Sequence, residues 1–278
     1  MEYLVWDIDP NIFQFGAIQL RWYGVLFVGS FFVGLWLLER IYKREGKDSS
    51  ILENFLIYLI IGAVVGARLA HCFFYEPSYY LSHPLEILYV WKGGLASHGG
   101  MVGTIIAIFV FAKRYNESFL WLLSRETMAG MVTAAFVRIG NFFNSEILGL
   151  PTDKPWGIIF ARIDMTPQHP VQLDMTPRHP VQLYEGLSYF VLLGILIFVY
   201  RKSTYNFATK ILPGMFLSML FSVRFLLEYT KTRQADYTTD LPFTTGQMLS
   251  MPFIVIGLIW VIYAFVSTSK DERWLTTH

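Results

Sequence analysis

The stretch "ILENFLIYLIIGAVVGARLAHCFF", residues 51–74, decides the fold class. Its length and apolar composition match the roughly 20 residues that an α-helix needs to cross a bilayer. The whole chain of 278 residues is 54% hydrophobic, 17% aromatic and only 15% charged, which is too apolar for a soluble domain of this length. Residues 51–74 are therefore predicted to form a transmembrane helix.

Six further stretches are apolar and of similar length. Together with the first, the predicted spans are 22–38, 51–74, 93–112, 119–139, 183–200, 211–229 and 246–268. The sequence thus predicts an all-α integral membrane protein with about seven transmembrane helices, organised as a single polytopic domain over residues 1–278.

Lysine and arginine set the predicted orientation. They are concentrated in the short connections at 40–47, 113–114 and 201–210 and in the C-terminal tail, and they are sparser in the longer connections on the other side. Because cytoplasmic loops carry an excess of these residues, the N-terminus is predicted outside and the C-terminus in the cytoplasm. The first residues, "MEYLVWDIDP", are acidic and do not match a cleavable signal peptide.

The predicted outer loop 140–182 contains a tandem repeat. In "DMTPQHPVQLDMTPRHPVQLYE", the decapeptide 164–173 recurs at 174–183 with only Gln168 exchanged for Arg178. Two copies of so short a period cannot form a solenoid. The repeat is interpreted as one functional segment plus one insertion, and only the second copy runs on into Tyr184 and Glu185.

Several arginines fall within or at the ends of the predicted spans, where a charge is costly unless it reaches the interface or finds a partner. Arg125 is near a cytoplasmic end, so snorkelling or a pair with the adjacent Glu126 explains it. The predicted topology places the other four in the outer half of the membrane: Arg21, Arg68, Arg138 and Arg224. Four cations at one depth predict an anion there.

Other polar residues collect at the same level. His98 lies in "GGLASHGG", whose glycines allow a close approach of backbone or ligand, and Arg138 and Asn141 share a helix face by their i, i+3 spacing. Arg224 and Glu228 do the same at i, i+4. The remaining polar residues at outer helix ends are Tyr23, Tyr184, Glu185, Gln247 and Ser250.

Each of these residues also has a structural interpretation, such as an aromatic belt for the tyrosines or a stabilising ion pair for the arginines. Their convergence from several spans favours a binding site. Arginines suit bidentate phosphate binding, and a histidine can move a proton near neutral pH. This combination suits an anionic lipid headgroup in the outer leaflet.

The sequence does not support several other classes of protein. The net charge of +1 argues against a nucleic-acid partner, and the single cysteine, Cys72, is interpreted as a small buried hydrophobe. There is no H-E-x-x-H or G-x-S-x-G motif and no Schiff-base lysine in 246–268. A transporter would place its polar site near the bilayer midplane rather than near one face.

Motifs along nearly the whole chain carry a resemblance to a known family. They are "RWYG" at 21–24, "GARL" at 66–69, "GGLASHGG" at 93–100, "RIGNFFNSEILG" at 138–149, "HPVQLYEG" at 179–186, "VRFLLE" at 223–228 and "TTGQMLS" at 244–250. In this order they resemble the prolipoprotein diacylglyceryl transferases of the bacterial inner membrane. The chain departs from the family at Val137 and Ser145, where glycine is usual, at Leu148, where tryptophan is common, and in the doubled decapeptide.

The resemblance implies a reaction. The sn-1,2-diacylglyceryl group of phosphatidylglycerol passes to the lipobox cysteine thiol of a prolipoprotein signal peptide, giving a thioether and glycerol phosphate. Such an enzyme is a multi-pass protein of the inner membrane with its active site facing the outer leaflet, surrounded by membrane lipids, and it requires no cofactor and no metal. The alternative is a protein that binds or moves anionic lipid without chemistry.

Roles are assigned to the site residues on this basis. Arg138 and Arg224 are expected to hold the phosphate, and His98 is the candidate base, with packing of its glycine-rich turn as the rival role. Asn141, Glu146 and Glu228 are expected to orient the arginines, and Tyr23 to bond the headgroup. Further expected substrate-binding positions are Arg68, Gly149, His179, Gln182, Tyr184 and Glu185.

Overall fold

The computed structural model describes residues 2–15, 18–162, 175–232 and 243–276. Within these ranges the chain is mostly helical. The helices are α1 Trp22–Arg44, α2 Leu52–Phe74, α3 Pro77–Ser82, α4 Ser97–Tyr115, α5 Phe119–Phe143, α6 Val181–Lys202, α7 Tyr205–Leu227 and α8 Thr245–Thr276. The strands are β1 Leu4–Trp6, β2 Asn11–Phe15, β3 Ile18–Arg21 and β4 Ile158–Phe160.

Five of the predicted spans correspond to helices that are long and apolar enough to cross a membrane. These segments are Trp22–Arg44, Ser49–Phe74, Val181–Lys202, Tyr205–Thr230 and Thr245–Thr268, and they contain α1, α2, α6, α7 and most of α8. Large apolar side chains on these helices are exposed, for example Phe32 and Trp36 on α1 and Ile259 and Ile262 on α8. Such surfaces are unfavourable in water and fit a lipid environment. The protein is therefore an α-helical membrane protein.

The other two predicted spans correspond to α4 and α5, which contain more polar and small residues. α4 begins at Ser97 rather than at the predicted residue 93. Gly93 and Gly94 have φ angles of +86° and +68°, and this left-handed backbone keeps them out of a right-handed helix.

The four short strands were not predicted from the sequence. β1 pairs in parallel with β4, and β2 pairs antiparallel with β3 just before α1. Trp6 of β1 packs against a small cluster of Phe142, Ile158 and Phe160. The N-terminal segment is thereby fixed to the connection that follows α5.

An ion pair outside the spans also holds the N-terminal segment. Arg162 Nε lies 2.6 Å from Asp7 Oδ1, and its Nη1 lies 3.1 Å from Asp9 Oδ2. The hydrogen bond to Asp7 raises the pKa of the Arg162 guanidinium above its usual value. The pair is partly exposed, so its contribution to stability is small.

The chain divides into two compact units, one of Met1–Gly34 with Thr127–His278 and one of Leu35–Glu126. In the first unit, α7 packs closely on α8. A Cβ atom at Gly257 would lie 2.4 Å from the Ser218 nitrogen, and one at Gly214 would lie 2.9 Å from the Gly257 oxygen. Only glycine permits this approach of two helix backbones.

The second unit is built around a similar pairing of α2 with α4. A Cβ atom at Gly66 would lie 2.3 Å from the Gly99 oxygen, and one at Gly103 would lie 2.0 Å from the Gly62 oxygen. The two helices thus meet through glycines spaced four residues apart on each. The close approach of backbone expected at the glycines beside His98 is confirmed for Gly99.

Two sequence interpretations concern buried residues of this unit. Cys72 is completely buried, as expected for a small hydrophobe. Arg125 does not snorkel, because it is 1% exposed, and its Nε donates to Glu45 Oε1 at 2.8 Å. The Glu45 carboxylate also accepts from Trp121 Nε1 at 2.6 Å, so its charge is well satisfied.

Candidate active site

A chain of alternating charges lies at the ends of α5, α6 and α7 in the first unit. Arg138 Nε is 2.9 Å from Glu185 Oε2, and Lys231 Nζ is 2.9 Å from Glu185 Oε1. Lys231 Nζ is also 3.3 Å from Glu228 Oε2. Because the Glu185 side chain has no exposed surface, its negative charge requires both of these cationic partners.

The chain of charges continues to the start of α8. Thr244 Oγ1 donates to Glu228 Oε1 at 3.1 Å, and the Gln247 backbone nitrogen donates to Thr244 Oγ1 at 3.2 Å. Gln247 Oε1 in turn accepts from the Thr244 backbone nitrogen at 3.1 Å, which completes a capping box at the N-terminus of α8. A Cβ atom at Gly246 would lie 2.3 Å from Glu228 Oε1, so glycine makes room for the carboxylate.

A second group of polar side chains joins Arg138 to the segment after α5. Arg138 Nη1 donates to Asn141 Oδ1 at 3.3 Å, and Asn141 Nδ2 donates to Glu146 Oε2 at 2.8 Å. Asn144 Nδ2 donates to the other oxygen of Glu146 at 3.1 Å. The fully buried Gln182 donates from Nε2 to the main-chain oxygen of Glu146. Asn141, Glu146 and Gln182 are thus brought together.

The turn around Glu146 has unusual backbone geometry. Ser145 and Ile147 have φ angles of +54° and +56°, a region that favours glycine and is strained for a β-branched residue. The glycine that the family usually shows at position 145 fits this geometry. The strain is maintained by the hydrogen bonds to Glu146 on both sides of the turn.

Gly149 lies where the turn meets two other segments. A Cβ atom there would lie 2.3 Å from the His179 oxygen, so any side chain would displace the segment that leads into α6. Gly149 also forms an antiparallel bridge with Lys231. The glycine therefore positions both the His179 segment and the segment after α7.

The second decapeptide copy contributes a small aromatic cluster. His179 Nδ1 lies 3.1 Å from the Tyr184 hydroxyl, which also accepts from Trp156 Nε1 at 2.8 Å. The first copy, 164–173, lies outside the described residues. The interpretation of one working copy plus one insertion therefore stays a prediction.

Tyr23 lies at the start of α1 against α5. A Cβ atom at Gly140 would lie 2.7 Å from Tyr23 Cδ2, so the tyrosine ring packs directly on the helix that carries Arg138. The structure thus places Tyr23 in the same group of residues.

Arg224 lies in the last turn of α7 and is half-buried. Its guanidinium carbon is 6.0 Å from the centre of the Phe221 ring, and it forms no ion pair with any residue in the described part of the chain. Tyr189, a buried residue of α6, follows Glu185, the partner of Arg138, by one helical turn.

His98 and Arg68 belong to the second unit. His98 is the second residue of α4 and is exposed. Arg68 is only 3% exposed, and it donates to the main-chain oxygens of Glu86 and Gly93 at 2.6 Å each and of Ile87 at 3.0 Å. Its guanidinium thereby holds the turn that precedes α4.

Two residues of the first unit were missed at the sequence level, Lys231 and Tyr189. Lys231 follows Glu228 at i, i+3, a spacing typical of a charge pair, and this signal was available. Tyr189 carried no comparable signal, because one tyrosine in an apolar helix is usually a packing residue.

The fold and this network define a class: a polytopic α-helical membrane protein with two arginines near its helix ends, one of them, Arg138, held by the buried carboxylate of Glu185. Comparison with known proteins gives the particular family. The sequence model of the prolipoprotein diacylglyceryl transferases matches residues 10–263. The chain therefore belongs to this transferase family, as the sequence motifs predicted.

Several named proteins are similar to this chain along nearly its full length. The chain is 47% identical over 273 residues to the phosphatidylglycerol–prolipoprotein diacylglyceryl transferase of Chloroherpeton thalassium, which covers 98% of each chain. It is 45% identical over 260 residues to the protein of the same name from Tolumonas auensis, covering 93% of this chain and 96% of the relative. It is 37% identical over 278 residues to that from Porphyromonas gingivalis, covering 98% of each.

Proposed function

We propose that this protein transfers the diacylglyceryl group of phosphatidylglycerol to the lipobox cysteine of prolipoproteins, the first step in bacterial lipoprotein maturation. The cysteine sulfur attacks the glyceryl carbon that carries the phosphate, a carbon–sulfur bond forms, and the carbon–oxygen bond breaks. Glycerol phosphate leaves with the bonding electron pair, and the thiol proton passes to a base. Membership of the family supports this reaction over lipid binding alone.

The observation that carries the proposal is the arrangement of Arg138 and Arg224. Arg138 is oriented by Glu185 at 2.9 Å and by Asn141 at 3.3 Å, and Arg224 lies in the last turn of α7, just before the segment whose Lys231 also binds Glu185. Preorganised guanidinium groups stabilise a phosphate whose charge grows as it leaves. We infer that these two arginines bind the phosphate of phosphatidylglycerol.

The surrounding residues are proposed to act through the arginines or on the headgroup. Asn141 and Glu146 orient Arg138, and Glu228 links the end of α7, which carries Arg224, to the start of α8. Tyr23, packed on Gly140, is placed to bond the glycerol headgroup. Gly149, His179, Gln182, Tyr184 and Glu185 are proposed to shape the pocket through the contacts already described.

His98 is proposed as the base for the thiol. An imidazole that is exposed at the N-terminal turn of α4 can accept a proton from a bound thiol, whereas the arginines cannot. Its rival role is to pack the glycine-rich turn. For Arg68, the four hydrogen bonds to main-chain oxygens, of Glu86, Ile87, Gly93 and Gly94, favour holding that same turn over direct contact with substrate.

The membrane arrangement is part of the proposal. We infer about seven spans in a single polytopic domain, with the N-terminus outside, the C-terminus in the cytoplasm and the site facing the outer leaflet of the bacterial inner membrane. Arg224 lies in the last turn of α7, and Arg138 lies five residues before the end of α5 at Phe143; both helices end on the outer side in this topology. Phosphatidylglycerol in that leaflet and the lipobox peptide are the proposed substrates.

Transfer to a peptide distinguishes catalysis from lipid binding. The purified full chain is incubated in detergent with phosphatidylglycerol and a lipobox peptide, and the peptide is analysed by mass spectrometry. The expected result is a mass gain of one diacylglyceryl group on the cysteine. A matched peptide with serine in place of the cysteine should gain nothing, and binding of lipid without any mass gain would support the alternative of a lipid-binding protein.

A further inference from the structure

Lys231 has a fixed main chain in the first unit. Its backbone bridges to Gly149 in antiparallel fashion, and the Leu150 nitrogen donates to the Thr230 oxygen at 2.8 Å. Because these backbone contacts fix the main chain on both sides of Lys231, only its side-chain torsions remain free. The lysine is thus positioned by the same segment that holds the His179 backbone.

The Lys231 ammonium group is placed between two carboxylates. Its Nζ is 2.9 Å from Glu185 Oε1 and 3.3 Å from Glu228 Oε2, and its side chain is 5% exposed. The second oxygen of Glu185 is the one that contacts Arg138. Two cations therefore share the single negative charge of Glu185.

This sharing changes what Arg138 can offer to an anion. If Glu185 had Arg138 as its only partner, the pair would be neutral, and an incoming phosphate would compete with the carboxylate for the guanidinium. Since Lys231 takes part of the carboxylate's charge, Arg138 retains positive potential. Charges act strongly on one another in a buried site of low dielectric constant.

We propose that Lys231 is a positioning residue of the transfer site that acts through Glu185 on Arg138. It shares the charge of Glu185, and this leaves Arg138 more positive toward the departing phosphate. The inference rests on the proposed function, since it assigns Lys231 a role in that same reaction.

The first test compares substitutions at position 231 in the full chain. Lys231→Met removes the charge at similar volume, and Lys231→Arg keeps it. We expect Lys231→Met to lower kcat/KM for thioether formation by about 10- to 100-fold, mainly through kcat, because the phosphate gains charge in the transition state. Lys231→Arg should restore most of the activity. Lys202→Met, at an exposed lysine of α6, is the matched control and should equal the parent.

The second test separates charge sharing from structural support. In the Glu185→Gln background there is no carboxylate charge to share. Adding Lys231→Met to that variant should therefore lower kcat/KM much less than it does in the parent. A double-mutant cycle measures this non-additivity. A folded Lys231→Met variant with parental kcat would overturn the proposal, as would equal losses in both backgrounds. If Lys231→Met alone does not fold, Glu185→Gln is compared with the double variant Glu185→Gln/Lys231→Met. A further tenfold loss of kcat/KM in the double variant would contradict the proposal. Absence of transfer by the parent would instead refute the proposed function.

Discussion

Arg138 and Arg224 are the residues on which the proposed chemistry depends most. We expect Arg138→Lys and Arg224→Lys each to reduce thioether formation by roughly 10²-fold or more, because an ammonium group replaces a planar fork of donors by a point charge. Initial rates with phosphatidylglycerol and a lipobox peptide measure this. Arg201→Lys, at the exposed end of α6, is the matched control. Near-parental rates in both site variants would remove these arginines from the site.

Substitutions at His98 distinguish a catalytic base from a packing residue. His98→Asn and His98→Gln keep a polar side chain but accept no proton at neutral pH, so both should abolish most activity if His98 is the base. Raising the pH toward the thiol's own pKa of about 8.5 should then restore part of the rate, since the thiol ionises without help. The pH–rate profile of each variant is the measurement. Full activity of either variant at pH 7 would assign His98 a structural role.

At the residue scale, the sequence identified charged groups better than it identified their partners. The spacing of Arg138 with Asn141 corresponds to a hydrogen bond of 3.3 Å, whereas Glu228, four residues after Arg224, binds Lys231 and Thr244. For Arg125 the sequence offered snorkelling or a pair with the adjacent Glu126, and it did not reveal the contact with Glu45, 80 positions earlier. Helical spacing reveals contacts within one helix, but partners from elsewhere in the chain depend on the tertiary fold.

The position of His98 in α4 depends on the packing of α4 against α2. Gly103→Ala should lower stability by about 1–3 kcal/mol, because its Cβ would lie 2.0 Å from the Gly62 oxygen and the two backbones must separate. Gly194→Ala is the matched control, since nothing lies within 4 Å of a Cβ there, and alanine favours helix over glycine by about 1 kcal/mol. Thermal unfolding in detergent measures both. Equal stability of the two variants would contradict this account of the helix pair.

The doubled decapeptide is tested by alanines in each copy. His179 and Gln182 contact Tyr184 and the Glu146 backbone, so His179→Ala and Gln182→Ala should clearly reduce transfer. The same changes in the first copy, His169→Ala and Gln172→Ala, should stay within a few-fold of the parent. A loop can absorb ten residues at small entropic cost. Equally harmful alanines in both copies would show that both shape the site.

At the scale of elements, long apolar runs were predicted well and short irregular pieces were not. The predicted span 51–74 differs from α2 by one residue, because hydrophobic length alone defines such a helix. β1 was missed because it has only three residues and its partner β4 lies more than 150 positions away. No local periodicity reports a pairing at that distance.

At the scale of the whole molecule, the same helices that provide the membrane-spanning surface also provide the residues of the candidate active site. The family match extends over residues 10–263, so it includes residues of both compact units. Apolar faces hold the helices in lipid, while Arg138, Glu185, Lys231 and Glu228 form a charge network at the helix ends. The cost of burying these charges is offset by their mutual pairing.

The stoichiometry of the reaction tests the central claim most directly. In one reaction with phosphatidylglycerol and a lipobox peptide, the diacylglyceryl thioether on the peptide and the released glycerol phosphate are both quantified over time. The proposed displacement predicts one molecule of glycerol phosphate for each thioether, and neither product without the peptide's cysteine. Glycerol phosphate released without modification of the peptide, or lipid bound with neither product formed, would contradict it.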